Sequence, residues 1–221
     1  MIAKHALVIG ASGGIGRAFA TELEGQGANV TRLSRQYDGL DITSEKDVCE
    51  KLGRIETKFD LVIVATGLLS GSSGPEKSIR ALSADEMAML FAVNAIGPAL
   101  VLKHAKQLFR SDQRGVFAVL SARVGSIGDN SLGGWYSYRA SKAALNQILK
   151  TASIELKRTH KQLICTALHP GTVATKFSRN YPNHAAVPPM QAAGNLLNII
   201  DQLAPEDSGR FFDWAGKEVP W

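Results

Sequence analysis

The chain has 221 residues, 45% hydrophobic and 20% charged, and a net charge of +5 from 25 basic and 20 acidic side chains. This length and composition predict one domain, residues 1–221, with one sizeable core. The basic excess is spread along the chain without a basic run, so neither nucleic-acid nor membrane binding is expected. The net positive charge does suit a polyanionic small ligand.

The two cysteines, Cys49 and Cys165, stand on distant segments, without a Cys-x-x-Cys pattern or a Cys/His cluster. Neither a disulfide framework nor a zinc site is therefore expected. A strand-like apolar run has already begun by Ala6, which leaves no room for a signal peptide. We judge the apolar runs too short to cross a bilayer and expect a soluble cytoplasmic protein.

Residues 5–10 form a short apolar run typical of a buried parallel strand. A glycine-rich turn, Gly10-Ala11-Ser12-Gly13-Gly14-Ile15-Gly16, follows and leads into helical apolar spacing. Strand, glycines and helix in this order indicate a turn that cradles a dinucleotide pyrophosphate at a helix N-terminus. The alternative is an ordinary glycine-rich turn. The residues predicted to contact the ligand here are Gly10, Ser12, Gly13, Gly14 and Ile15.

The second strand, residues 28–34, ends in Ser34 and Arg35. An acidic residue at this point would favour NAD, whereas a guanidinium matches the 2′-phosphate of NADP. We therefore predict NADP(H), the alternative being a solvated loop arginine. Asp41, with Ile42 beside it, is placed to bind the adenine, although Asp41 could equally be a turn residue.

Further strands are predicted at 60–65, 115–121, 163–168 and 209–214, with helices between them. This alternation predicts an α/β fold of the Rossmann type, a doubly wound parallel sheet of about seven strands with helices on both faces. The third strand leads into Thr66 and Gly67, which are predicted to contact the cofactor. Asn94 is a polar residue in an apolar helix, so it needs buried partners or a site. The dipeptide Gly97-Pro98 predicts a local helix break.

Tyr138 and Lys142 lie four residues apart at the start of a long amphipathic run, so they share one helical face. A phenol with a pKa near ~10 is a poor proton donor, and a neighbouring ammonium is expected to lower that pKa. The pair therefore predicts a general acid/base. Tyr136 falls on another face of the helix.

Taken together, Gly10/Gly14/Gly16, Asp41, Asn94, Tyr138-x-x-x-Lys142 and Pro170-Gly171…Thr175 resemble the short-chain dehydrogenase/reductase family along essentially the whole chain. The ending, residues 211–221, resembles the C-factor-like and sniffer-like carbonyl reductases. The resemblance implies that Tyr138 protonates a carbonyl oxygen while Lys142 holds the nicotinamide ribose and Asn94 anchors a water. It also implies a homodimer or homotetramer through helices around 98–110 and 136–160, and a carboxamide site formed by Pro170, Gly171, Val173 and Thr175.

Three departures from the family pattern stand out. Val64-Ala65-Thr66-Gly67 replaces Asn-Asn-Ala-Gly, and Lys176–Val187 is short for a substrate-covering segment. Ala122 takes the place of the catalytic serine, which leaves Ser121 and Ser126 as candidate hydroxyls. Strand alternation points Ser121 to the opposite face unless the strand end twists. A dinucleotide-binding regulatory protein with little turnover is therefore the alternative function.

Trp135 and Tyr136 could wall the substrate pocket or simply pack. We expect His169 to be a strand-end histidine satisfied by backbone rather than a catalytic group. Trp214 and Trp221 are expected to pack at the C-terminus or between subunits.

Overall fold

The computed structural model describes residues 3–179 and 186–221. Within these residues, six parallel strands form one sheet in the order β2-β1-β3-β4-β5-β6. The strands are β1 His5–Ile9, β2 Asn29–Leu33, β3 Leu61–Val64, β4 Gly115–Leu120, β5 Leu163–His169 and β6 Arg210–Asp213. The predicted parallel α/β fold is confirmed, with six described strands where about seven were expected.

The helices cover both faces of the sheet. They are α1 Gly14–Gly25, α2 Arg35–Asp38, α3 Glu45–Gly53, α4 Ala84–Phe91, α5 Gly97–Ala105, α6 Tyr136–Leu156 and α7 Pro189–Gln202. Alternate strand residues enter two apolar clusters, because successive side chains of a strand point to opposite faces. Ala6 and Val8 pack with α1 and α7, whereas Leu7 and Ile9 pack with α3, α5 and α6. Burial on both faces explains why β1, β3 and β4 are nearly continuous apolar runs, whereas β2, at the edge of the sheet, is partly exposed and contains polar residues.

The predicted break at Gly97-Pro98 is absent, because a π-helical turn, Ala92–Ile96, joins α4 to α5. Pro98 sits in the first turn of α5, where its missing N–H costs little. Gly97 is needed for contact, since a Cβ there would lie 2.6 Å from Ile42 Cδ1. The π turn is the segment that carries Asn94.

The run Ala84–Leu108 is 25 residues long, and its most apolar window has a mean hydropathy of 1.4. By length and composition alone it could cross a membrane, a test that a core helix of a soluble protein also passes. In the fold its apolar side is part of the core, with Leu90, Val101 and Ala105 buried.

Candidate active site

A cleft of about 980 Å³ opens at the carboxyl edge of the sheet. Parallel strands bring their carboxyl ends to this edge, which is where open α/β sheets bind ligands. The predicted site residues that line it are Ser12, Gly13, Gly14, Ile15, Thr66, Gly67, Ser121, Tyr138, Lys142, Pro170, Gly171, Val173 and Thr175. The predicted residues that do not line it are Gly10, Ser34, Arg35, Asp41, Ile42 and Asn94.

Three glycines of the glycine-rich turn, Gly10, Gly14 and Gly16, have no room for a side chain. Gly10 has φ +88°, and a Cβ there would lie 3.0 Å from the backbone of Ala65. At Gly16 a Cβ would approach Gly10 O to 2.2 Å, and at Gly14 it would approach Thr175 Cγ2 to 2.6 Å. Helix α1 begins at Gly14, so its first-turn N–H groups and positive dipole end lie at the cleft. These features fit a pyrophosphate group.

The end of β2 forms a self-contained turn. Ser34 Oγ accepts a hydrogen bond from Tyr37 N at 3.2 Å, and Ser34 N and Oγ both donate to Asp38 Oδ2, at 2.8 and 3.1 Å. The Asp38 carboxylate is therefore hydrogen-bonded within the turn itself. Arg35 is exposed, while Gln36 and Tyr37 are the α2 residues that line the cleft.

Asp41 closes a turn of its own. Its Oδ1 accepts hydrogen bonds from Thr43 N at 2.9 Å and from Thr43 Oγ1 at 2.7 Å. These hydrogen bonds lower the pKa of Asp41, with a smaller contribution from the charge of Arg35. The geometry matches the turn-residue alternative stated for Asp41.

Tyr138 and Lys142 lie on the buried face of α6 and meet in the cleft. Lys142 is 3% exposed and Tyr138 6% exposed. Lys142 Nζ donates to Leu120 O at 2.8 Å and lies 6.0 Å from the centroid of the Tyr138 ring. Gly125 lets the preceding loop pack against the helix here, because a Cβ would lie 2.6 Å from Lys142 Cβ.

Burial is the cause of the pKa change at both Tyr138 and Lys142, and the predicted lowering of the Tyr138 pKa by the Lys142 charge stays a prediction. Burial lowers the pKa of Lys142 to about 7 and raises the pKa of Tyr138 above its ordinary value. Desolvation penalises the charged form of each group, and a lysine that is partly neutral near pH 7 offers little positive charge to its neighbour. Tyr138 is therefore held as a protonated phenol.

Asn94 is completely buried and ties the π turn to two other elements. Its Oδ1 accepts from Leu68 N at 2.8 Å, and its Nδ2 donates to Leu68 O at 2.7 Å and to Ser141 Oγ at 3.1 Å. The side chain also lies behind Gly67, since a Cβ there would be 3.6 Å from Asn94 Oδ1 and 3.8 Å from Lys142 Nζ. Asn94 thus fixes the loop after β3 beside the lysine.

No candidate serine presents its hydroxyl toward Tyr138. Ala122 occupies the predicted position and packs in one small apolar cluster with Tyr138. Ser121 Oγ donates to Asn146 Oδ1 on α6 at 2.7 Å, on the face that strand alternation predicts. Ser126 does not line the cleft; its Oγ accepts from the backbone N–H of residue 129 at 3.1 Å.

Two polar atoms at this edge of the sheet, Thr66 Oγ1 and His169 Nδ1, are buried without a hydrogen-bond partner in the described part of the chain. Orphaned polar atoms beside a cleft fit the polar groups of a ligand. Burial lowers the pKa of His169 to about 4; nearby Asp213 opposes this change, and Arg123 adds to it. The imidazole is therefore neutral near pH 7. The predicted backbone partner of His169 is not seen at Nδ1.

Several cleft residues carry no clear sequence signal. Arg17, Gln36, Tyr37 and Phe177 line the cleft but were not predicted. Arg17 stands four residues after Gly13, on the same helical face, and that spacing could have identified it. The short covering segment, residues 176–187, includes residues 180–185, which lie outside the described part of the chain.

Residues 10–207 match the family model described as enoyl-(acyl carrier protein) reductase. A 1-hydroxy-2-glutathionyl-2-methyl-3-butene dehydrogenase of Rhodococcus sp. is 30% identical, over 97% of this chain and 98% of that protein. The C-signal protein of Myxococcus xanthus is 39% identical over 62% of this chain and 79% of that protein.

Solved structures share the fold. The carbonyl reductase Sniffer of D. melanogaster superposes with a TM-score of 0.80 at 20% identity, covering 99% of both chains. A short-chain dehydrogenase/reductase of Burkholderia multivorans with bound NADP has a TM-score of 0.81 at 24% identity, over 98% of this chain and 99% of that one. With the family match and the Rhodococcus relative, the expected resemblance is confirmed: the chain belongs to the short-chain dehydrogenase/reductase family of oxidoreductases.

Proposed function

We propose that the protein is an NADP(H)-dependent oxidoreductase that interconverts a carbonyl and a hydroxyl by hydride transfer. The observation that carries the proposal is the pair Tyr138 and Lys142, buried side by side in the cleft that the glycine turn opens onto. A protein that only bound a dinucleotide would need no buried proton donor there. The bound nicotinamide supplies or accepts the hydride.

The side chains divide the remaining work. The Lys142 ammonium has three N–H donors, of which Leu120 O takes one, so in its protonated form the other two are available to the ribose hydroxyls and to Tyr138. Tyr138 is a protonated phenol at neutral pH, and burial raises its pKa further; it donates its proton to the carbonyl oxygen as the hydride arrives. Asn94 positions Gly67 and, through Ser141, the helix that carries both groups.

The preference for NADP(H) over NAD(H) is assigned to Arg35. It is the exposed cation immediately after β2, and the nearby Asp38 carboxylate is engaged by Ser34 rather than open to a ribose hydroxyl. A guanidinium suits the 2′-phosphate. The B. multivorans neighbour, which contains NADP, has the same fold.

An NADP-binding regulatory protein with little turnover is the second candidate. The observation that favours it is Ala122, together with the other partners of the two candidate hydroxyls: Ser121 bonds to Asn146 and Ser126 to the backbone of residue 129. Substrate polarisation then depends on Tyr138 alone. The C-signal protein, which is named for a signal, is one of the relatives of this chain.

One experiment separates the two candidates. NADPH oxidation is followed with aldehydes, ketones, quinones and 3-oxoacyl thioesters, while NADPH and NADH binding are measured by calorimetry. Turnover supports the enzyme; tight NADPH binding without turnover on the whole panel supports the regulatory protein. Arg35→Ala should weaken NADPH binding far more than NADH binding, and Arg158→Ala, another exposed arginine, serves as the control.

We further propose one domain over residues 1–221, acting in the cytoplasm as a homodimer or homotetramer through α5 and α6. Ile96, which immediately precedes α5, and Ile154 on α6 support the assembly, because both are apolar side chains that are 49% and 58% exposed. Light scattering at several concentrations tests it. A monomer throughout would contradict it.

A further inference from the structure

Trp135, immediately before α6, has an unusual backbone. Its φ is 52° and its ψ 44°, and it is the only non-glycine residue with positive φ among residues 3–179 and 186–221. Gly133 and Gly134 before it also have positive φ, 64° and 65°. The left-handed conformation is unfavourable for a bulky side chain and persists only where the surroundings impose it.

One restraint comes from Glu76, in the loop between β3 and α4. Its backbone O accepts a hydrogen bond from Trp135 N at 2.6 Å. Its carboxylate, 6% exposed, accepts from Ser137 N at 3.3 Å and from the Ser137 hydroxyl. A carboxylate at the first turn of a helix is also favoured by the helix dipole. Glu76 thus anchors the residues on either side of Tyr136.

The second restraint is Arg139, one helical turn further on. Its Nε donates to Gly133 O at 3.2 Å and to Gly134 O at 3.0 Å, and its Nη1 donates to Val124 O at 3.3 Å. Arg139 N completes the turn by donating to Trp135 O at 2.9 Å. Trp135 is therefore held from the loop side and from the helix side.

The restrained indole lies next to the proton donor. The Trp135 and Tyr138 rings meet edge to face with centroids 6.2 Å apart, and Phe177 lies on Tyr138 with centroids 6.1 Å apart. The neighbouring cleft residues Leu69, Ala122 and Val124 are apolar. A carbonyl group that reaches Tyr138 must therefore place its substituent against an aromatic and apolar wall.

We propose that Trp135 is a specificity-determining residue for carbonyl substrates with a flat aromatic substituent, and that Glu76 is the positioning residue that holds it. The inference rests on the proposed function, since it concerns the substrate of the same site. Aromatic pairs are stronger than contacts of equal area with a puckered ring. The wall therefore selects an aryl aldehyde or ketone over its saturated counterpart.

The test compares benzaldehyde with cyclohexanecarbaldehyde, two aldehydes with rings of the same size. The quantity measured is kcat/KM for benzaldehyde divided by kcat/KM for cyclohexanecarbaldehyde, both with NADPH. Each variant's ratio is compared with that of the unmodified protein. Trp135→Gly, which fits the left-handed backbone but lacks the indole, should lower this ratio about threefold to tenfold, the range expected for one aromatic pair. Trp135→Phe, which keeps an aromatic ring, should retain most of the preference for benzaldehyde.

Glu76→Ala should lower the ratio in the same direction, mainly through KM for benzaldehyde, and Glu76→Gln should restore it because an amide can still bond to Ser137. Glu86→Ala is the matched control: Glu86 accepts a hydrogen bond from Ser73 N of the same loop, at 3.5 Å, and none from α6 among the described residues. It should leave the ratio unchanged. An equal loss on both aldehydes in Glu76→Ala would make Glu76 merely structural and overturn its positioning role.

A binding measurement decides the inference even without turnover. Benzyl alcohol and cyclohexylmethanol are titrated against the NADPH-bound protein, and affinity is measured by calorimetry. Tighter binding of benzyl alcohol, lost in Trp135→Gly, supports the aromatic wall even if the absence of turnover refutes the proposed reaction. Equal binding of the two alcohols, or a ratio unaffected by Trp135→Gly, overturns the inference while leaving the reaction untouched.

Discussion

Adding a hydroxyl at Ala122 should make the enzyme faster. Ala122 is 8% exposed, lines the cleft and packs in the same apolar cluster as Tyr138. In Ala122→Ser a hydroxyl would stand where a carbonyl oxygen approaches Tyr138. It would donate a second hydrogen bond to that oxygen as negative charge develops on it.

The expected gain follows from one hydrogen bond. A net contribution of about 0.5–1.5 kcal/mol, realised in the transition state, corresponds to roughly a twofold to tenfold rise in kcat/KM. The matched variant is Ser121→Ala. It removes the hydroxyl that donates to Asn146 Oδ1. Asn146 then loses this hydrogen bond, and its Nδ2 already lacks a partner among the described residues. It should therefore lower the free energy of unfolding by about 1–3 kcal/mol while changing kcat/KM by less than about threefold.

The assay is steady-state NADPH oxidation with an aldehyde that the unmodified protein reduces, combined with urea unfolding of each variant. The two readouts separate catalysis from folding. A hundredfold or greater loss of kcat/KM in a folded Ser121→Ala, on the order of 3 kcal/mol, would refute the reasoning. It would show that Ser121 supplies the substrate's hydrogen bond despite facing Asn146.

The remaining predictions concern packing and pH. Gly16→Ala places a Cβ 2.2 Å from Gly10 O and should strongly lower the free energy of unfolding. Gly25→Ala in the same helix meets nothing within 4 Å and should raise the free energy of unfolding by about 0.5–1 kcal/mol. Urea unfolding compares the two variants, and equal effects would contradict the packing argument. Burial lowers the pKa of His169 from 6.5 to about 4, so the unfolded chain binds a proton in that window and the folded chain does not. The free energy of unfolding should therefore fall by about 3 kcal/mol from pH 6.5 to 4, and His169→Gln should remove that part of the pH dependence. Carbonyl reduction should slow as pH rises through the pKa of Lys142, about 7, because the neutral amine has lost both its charge and one of the three N–H donors proposed to hold the ribose and Tyr138. A rate that stays flat from about pH 6 to 9 would argue against a role of the Lys142 ammonium in the reaction.

The fold was predictable because β1, β3 and β4 are buried on both faces, so their short apolar runs stand out between helical ones. Helical phase was equally informative at the site: Tyr138 and Lys142 lie on the buried face of α6, while Tyr136 does not line the cleft. Strand alternation also gave the face of Ser121. These are periodic properties, which a local pattern can express.

What the sequence left unpredicted depends on contacts between distant segments. The raised pKa of Tyr138 reflects burial by several elements, and Asn146 is 25 residues from its partner Ser121. The anchoring of α6 by Glu76 spans 61 residues. The π turn that carries Asn94 has no sequence signal that distinguishes it from a helix break at Gly97-Pro98.

The central claim is that Tyr138 delivers the proton to a substrate carbonyl. Tyr138→Phe removes only the hydroxyl and keeps a ring of the same shape within the cluster of Trp135, Phe177 and Ala122. The most direct measurement is kcat for aldehyde reduction by this variant, alongside its NADPH dissociation constant. We predict a loss of about 10²- to 10⁴-fold in kcat with NADPH binding unchanged. A folded Tyr138→Phe that binds NADPH and turns over within about tenfold of the unmodified protein would contradict the claim.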